Sequence, residues 1–127
     1  MKLSNNKIFN YYQKLESAFN VDNKYFPAKI NFYIQKNKNI LYNLSLLIEQ
    51  TKNDIAQQYG IYQEETDSYF IPLEQRNIAQ QELNDLLNIE QEVGIIQLNF
   101  LDIEKLEFTP NQMEAILFMI KEDKGDK

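Results

Sequence analysis

The chain of 127 residues contains no cysteine, no histidine and no tryptophan, one arginine against twelve lysines, and only three glycines and three prolines. Without cysteine there is neither a disulfide framework nor a thiolate metal site. Without histidine, the usual general base near neutral pH and the commonest metal ligand are both missing. Ser4, Ser17, Ser45 and Ser68 lie in no nucleophile-elbow sequence, and no glycine-rich loop is present to cradle phosphate. Nucleophilic, nucleotide and most metal-dependent chemistry therefore lose their usual central residues, and a non-enzymatic protein without cofactor or resident metal is expected. No apolar run is long enough to span a bilayer, and the start Met1-Lys2-Leu3-Ser4-Asn5-Asn6 lacks the apolar stretch of a secretion signal. The expected compartment is the cytoplasm, with no membrane partner.

Hydrophobic residues make up 43% of the chain and charged residues 25%, the profile of a folded protein, and the length fits one domain over 1–127. Asn and Gln supply 27 residues and Ile 15, a bias consistent with AT-rich codons. The net charge of −6 is unevenly placed. Residues 1–59 hold eight basic and four acidic groups (+4), and residues 60–127 hold five basic and fifteen acidic (−10).

Ser4 predicts the cap of a helix over 5–19, with Ile8, Tyr12, Leu15 and Phe19 on one face. The segment from Val21 to Pro27 breaks that pattern, and Pro27 suits the first position of a second helix. From there Ile34, Leu41, Ile48 and Ile55 stand seven apart, with Ile30, Leu44 and Thr51 on the adjoining line. Tyr33, Ile40 and Leu47 widen the stripe, so this long helix, 27–59, should pack on more than one neighbour; Asn37 interrupts it and needs a hydrogen-bond partner if buried. Gly60 is a natural stop. Residues 63–68 read as an acidic loop before the β-favouring run Tyr69-Phe70-Ile71-Pro72, where a hairpin or edge strand fits. Helical spacing resumes over 73–88 through Ile78, Leu83, Leu86 and Leu87, and alternation over 89–95 predicts a half-buried strand continuing towards Leu98. Thr109, Pro110 and Gln112 form a capping-box signal for a last helix that buries Met113, Ile116, Leu117 and Ile120. The expected fold class is α+β, mostly helical, with one long helix and a small antiparallel sheet built from segments near 69–71 and 89–98; an all-α bundle is the alternative.

Candidate partner-binding residues fall in two groups. In the basic half, Tyr25, Lys29, Tyr33 and Lys36 interleave aromatic rings with positive charge, a surface that can stack bases and neutralise phosphates. The plainer reading is that the rings are core and the lysines the wet face of a helix. In the acidic half, Glu64, Glu65 and Asp67 could present a negative surface to a basic partner or ligate a hard cation. They lack the glycine and distal glutamate of an EF-hand, and a solvated loop is the plainer reading. Glu90 and Glu92 share one face of a predicted strand without a recognisable catalytic partner, and the lone Arg76 could pair with an acid or anchor an interface.

Three longer stretches carry a resemblance: Met1-Lys2-Leu3-Ser4-Asn5; Phe26-Pro27-Ala28-Lys29-Ile30 leading to Ile34-Gln35-Lys36-Asn37; and Glu82 to Val93, followed by Leu106-Glu107-Phe108-Thr109-Pro110-Asn111-Gln112-Met113. In this order they resemble a family of small uncharacterised proteins of phages and prophages of low-GC bacteria, a phage domain of unknown function. The resemblance implies a viral origin and no established catalytic activity, and it transfers no functional residue. Where the family shows a longer charged middle, this chain has a compact acidic loop. The expected function is a phage-encoded module that binds a host protein and inhibits or redirects it, such as an antiviral nuclease or other nucleic-acid-handling effector, in the manner of an anti-CRISPR protein. The alternatives are a virion or tail-assembly component and an RNA-contacting accessory protein.

Overall fold

The computed structural model describes residues 1–19 and 26–121. Ser4 closes a short strand, β1 (Lys2–Ser4), and caps α1 (Asn5–Ala18) by accepting the N–H of Lys7 at 3.1 Å. The spacing read from the sequence sets the buried face: Ile8, Leu15 and Phe19 are buried and Tyr12 half-buried.

Pro27 stands one position outside α2 (Ala28–Tyr59), not in its first turn as expected. Its extended backbone aims its carbonyl at the N–H groups of Ile30 and Asn31, each at 3.0 Å. A missing N–H costs nothing at either position, so the sequence signal could not separate them. Thirty-two residues make α2 about 48 Å long, more than twice the length of the fourteen-residue α1 that packs beside it. Its buried stripe runs Ile30, Ile34, Asn37, Leu41, Ser45, Ile48 and stops there; Ile55, next on the heptad line, is half-buried. Tyr33 and Ile40 pack against the core, but Leu47 is 61% exposed, contrary to the widened stripe expected there. The helix outruns its neighbours, and spacing alone cannot show where they end.

Past Gly60 come β2 (Ile61–Gln63) and β3 (Ser68–Phe70), then α3 (Leu73–Asn88), β4 (Glu90–Glu92), β5 (Leu98–Asn99), the single-turn α4 (Phe100–Ile103) and α5 (Pro110–Ile116). The chain then tightens into a 3₁₀ turn (Leu117–Met119) and ends its described part in β6 (Ile120–Lys121). The capping box at Thr109 is complete: Gln112 N–H donates to the Thr109 hydroxyl (3.1 Å) and Thr109 N–H to the Gln112 side chain (3.0 Å). Ala115, Ile116 and Met119 are buried, whereas Leu117, expected on that face, is 58% exposed. The 3₁₀ turn brings residues three apart into line, so Met119 follows Ile116 inward and Leu117 rotates out. Ile78 is likewise exposed, and Ala79 is the buried residue of α3.

The fold is α+β and mostly helical, as expected, but the segments near 69–71 and 89–98 do not pair with each other. There are three two-stranded ladders among the described residues. β2 and β3 form an antiparallel hairpin, β1 pairs antiparallel with β4 (Lys2↔Glu92, Ser4↔Glu90), and β5 pairs parallel with β6 (Leu98↔Ile120). Two of these join the chain's opening or closing segment to its middle, pairings that local alternation does not encode.

One core results. Leu3, Ile8, Leu15, Phe19, Ile30, Ile34, Leu41 and Ile48 meet Val93, Leu98, Ile103, Ala115, Ile116 and Met119. Tyr11 stacks on Phe118 with ring centres 4.1 Å apart, and Phe26 lies between Phe19 and Phe108. Two buried amides hold the layers in register. Asn37, fully buried, donates to the carbonyl of Ile96 (2.8 Å) and accepts that residue's N–H (2.7 Å), so a side chain on α2 substitutes for a strand partner. Asn5 donates to Leu86 O (2.8 Å) and accepts from Gln91 Nε2 (2.7 Å), tying the start of α1 to the end of α3. Among the described residues from 49 to 85 only Ala79 is a buried hydrophobic, and it stands apart from this core cluster; no helix among the described residues is long and apolar enough to cross a membrane.

Candidate functional site

Beyond Ile48 the apolar residues lose their cover. The last turns of α2, the hairpin and the first half of α3 form an outer end whose hairpin is exposed at every residue from Ile61 to Phe70. Both strands carry large apolar groups: Ile61 is 58% exposed, Tyr62 49%, Tyr69 41% and Phe70 50%. Register pairs Ile61 with Phe70 and Tyr62 with Tyr69, whose rings meet edge-on at 5.5 Å. Alternation sends these pairs to opposite faces of the ribbon, so neither face is polar. A two-stranded ribbon with apolar groups on both faces is marginal in water unless something packs on it.

Three features hold this ribbon in place. At Gly60 the chain leaves α2 with an extended backbone, and an added Cβ would lie 2.5 Å from Ala56 O, 3.1 Å from Tyr69 Cβ and 3.3 Å from Phe70 O. The glycine expected as a helix stop is therefore required first by the Ala56 carbonyl of the helix itself and second by the nearby return of β3, and not by a left-handed conformation. At the tip, Asp67 adopts φ 51° and accepts a hydrogen bond from the Tyr62 hydroxyl at 2.6 Å. That bond raises the Tyr62 hydroxyl above its ordinary pKa, with smaller contributions from desolvation and from Tyr69. At the root, the Tyr59 hydroxyl donates to Glu82 on α3, and this contact raises Tyr59 in the same direction.

The two groups of sequence candidates are not brought together. Glu64, Glu65 and Asp67 sit exposed on the hairpin turn. Lys29, Tyr33 and Lys36 lie on the first half of α2, and from Lys36 to Tyr59 the helix alone spans about 35 Å. There, the Lys29 ammonium is 3.7 Å from Asp102 and 5.9 Å from the centre of the Tyr33 ring, while Tyr33 packs against the core. Lys36 is exposed, and Tyr25 lies outside the described residues. Of the acidic trio, Asp67 is partly engaged in shaping the turn. Among the described residues no group of three or more potential ligands is placed to hold a metal ion. Glu90 and Glu92 lie exposed on β4 without a catalytic arrangement.

The sequence reading passed over Ile61, Tyr62, Tyr69 and Phe70 as binding residues. Their signal was present: two β-favouring pairs flank a short acidic turn. Nothing local indicated that the pairs would face water and not core.

A cleft of about 500 Å³ opens between the hairpin root, α2 and α3, lined by apolar groups and by Lys52, Arg76 and Gln80. Arg76 lines it, with Nε donating to Ile71 O at 3.0 Å and its guanidinium 5.7 Å from the centre of the Phe70 ring. Comparisons of the chain with protein-family models, with curated proteins and with solved structures find no match.

Proposed function

We propose that the protein is a non-enzymatic binding module that engages another protein through its outer end, with the hairpin as the principal contact. The observation that supports this is the concentration of Ile61, Tyr62, Tyr69 and Phe70, each more than two-fifths exposed, on a ribbon outside the core. Aromatic groups of this kind dominate the buried centres of interfaces, where they bring large area at low conformational cost. Glu64, Glu65 and Asp67 at the tip add three negative charges beside the apolar strands. They favour a partner with an apolar depression rimmed by basic residues and would accelerate encounter with it.

A basic surface is what nucleic-acid-handling proteins present to phosphate. Together with the resemblance to phage proteins, this favours a host effector such as an antiviral nuclease, blocked by occupation of its working surface in the bacterial cytoplasm. On α2, the engagement of Lys29 by Asp102 and the packing of Tyr33 on the core weigh against RNA contact there.

The test is a pull-down from nuclease-treated lysates of infected and uninfected low-GC bacteria. Affinity is then measured between the purified partner and the full chain at several salt concentrations. A host protein should bind, more weakly as salt rises, and Phe70→Ser or the pair Glu64→Lys with Glu65→Lys should each weaken it at least about tenfold. Equal affinity of these variants and the wild type would overturn the reading, and recovery of phage structural proteins alone would make the protein a part of the particle.

A further inference from the structure

The acidic half of the chain carries −10, yet among the described residues no acidic side chain lines the cleft at the hairpin root. Its walls are Ile55, Ala56, Phe70, Ile71, Ala79 and Leu83. The only arginine of the chain stands at its side, and Arg76 has no acidic partner among the described residues. Its Nε donates to Ile71 O and its guanidinium carbon lies 5.7 Å from the centre of the Phe70 ring, contacts that bias the orientation of this exposed side chain while its terminal nitrogens keep their donors. Lys52 contributes its stem to the cleft, but its ammonium is 5.2 Å from the centre of the Phe9 ring and 4.0 Å from Glu49. The cleft is thus an apolar depression with one uncompensated fork for an anion, of a volume that suits one or two large side chains.

We propose that this cleft receives a short acidic-apolar segment of the partner protein. A large apolar side chain enters between Ile55, Phe70 and Leu83, and a neighbouring carboxylate pairs with the terminal nitrogens of Arg76. The identification of the occupant as a segment of the partner rests on the binding function proposed above, since the hairpin that would dock the partner forms one wall of the cleft. The charge complementarity is specific. The tip of the hairpin selects basic groups and its root selects an acidic one, so a bound partner is oriented and not merely attracted.

The experiment titrates acetylated pentapeptide amides into the isotope-labelled full chain and follows backbone amide resonances by NMR. The peptides differ only in a central Phe-Glu, Phe-Gln or Ala-Glu pair. The Phe-Glu peptide should shift resonances of Ile55, Phe70, Ile71, Arg76 and Leu83 at millimolar concentration; Phe-Gln should bind about fivefold more weakly, the scale expected of one partly exposed charge-assisted contact, and Ala-Glu at least about tenfold more weakly for want of the apolar group that fills the cleft. Arg76→Gln should bind the Glu and Gln peptides alike, and Arg76→Lys should keep part of the preference. The spectrum of each variant reports its folding, and if a variant is unfolded the comparison of peptides on the wild type decides. The proposal is overturned if the cleft residues do not shift, or if Phe-Glu and Phe-Gln bind equally. It is also overturned if hexanoate reproduces the shifts at the affinity of the peptide, or if the same residues shift with protein concentration alone, which would indicate a second copy as occupant. Because no partner protein is used, the cleft can fail while the hairpin variants still abolish partner binding, and the reverse.

Discussion

The two ends of α2 are written in the same residues and meet different environments. Up to Ile48 one apolar face of the helix, Ile30, Ile34, Leu41 and Ile48, is buried in the core while Phe32 and Leu47 face outward; beyond it Ile55 and Ala56 line an open cleft, and the strands that follow leave Ile61 and Phe70 half in water. The core end has a contiguous core, stacked rings and two buried amides whose oxygens and nitrogens are paired. The outer end is held by Gly60, by Tyr59 against Glu82 and by a Tyr62–Asp67 contact at the tip. Exposed apolar side chains occur at both ends, but only the hairpin gathers four of them, Ile61, Tyr62, Tyr69 and Phe70, on one ribbon outside the core, and the proposed binding role rests on that concentration.

Substitutions should separate the ends. The largest stability effect belongs to the core: Asn37→Ala leaves both polar groups of Ile96 unpaired and opens a void, and chemical denaturation should show a loss of roughly 3 kcal/mol. A change below about 1 kcal/mol would mean that water or backbone adjustment replaces the amide. Gly60→Ala comes next, at about 1–2 kcal/mol, because the added Cβ clashes with the Ala56 carbonyl and crowds β3, so the junction of helix and hairpin must shift. Hydrogen exchange should localise that loss to 61–70 and leave the amides of α1 protected, whereas uniform loosening would contradict the division into two ends. Phe70→Ser should alter stability by only about 0.5 kcal/mol while abolishing partner binding, so a thermal melt and a binding curve on one sample test both halves of the argument.

The smallest effects are electrostatic. On the core end, a hydrogen bond from Lys38 at 2.8 Å, together with its positive charge, lowers the pKa of Glu16. A carboxylate depressed in the folded state contributes stability above its ordinary value and loses it as pH falls through the lowered one, here about 0.5 kcal/mol since the group is half exposed. Melting temperatures of the wild type and Glu16→Gln should therefore differ at neutral pH and converge in acid. At the hairpin the sign is opposite. Tyr62 is raised, so its contact with Asp67 contributes below the ordinary tyrosine value and fades as pH rises through the raised one. Amide exchange at the hairpin tip, corrected for the intrinsic pH dependence, should rise in alkali for the wild type and stay level in Tyr62→Phe.

Much of the local structure was legible in the sequence: the caps at Ser4 and Thr109, the span of α3, the need of Asn37 for a partner and the break at Gly60. Each depends on chemistry within a few residues, the range over which a side chain can satisfy a helix end or a turn. The acidic turn was legible as a candidate, but its apolar flanks were not, because Ile61-Tyr62 and Tyr69-Phe70 read the same whether a core or water lies opposite. The cleft was less legible still, since Ile55 and Ala56 of α2 face Phe70, Arg76 and Leu83 only after α3 packs beside α2.

By itself, then, the sequence determined the helices, their caps, the residues sharing each face and the absence of histidine and cysteine. Tertiary structure alone decided that β1 pairs with β4 and β5 with β6, that Leu47, Ile78 and Leu117 face outward, and that the apolar ribbon 61–70 stays uncovered. Periodicity fixes which side chains point the same way along one element, whereas burial depends on which distant segment arrives there and how far it reaches.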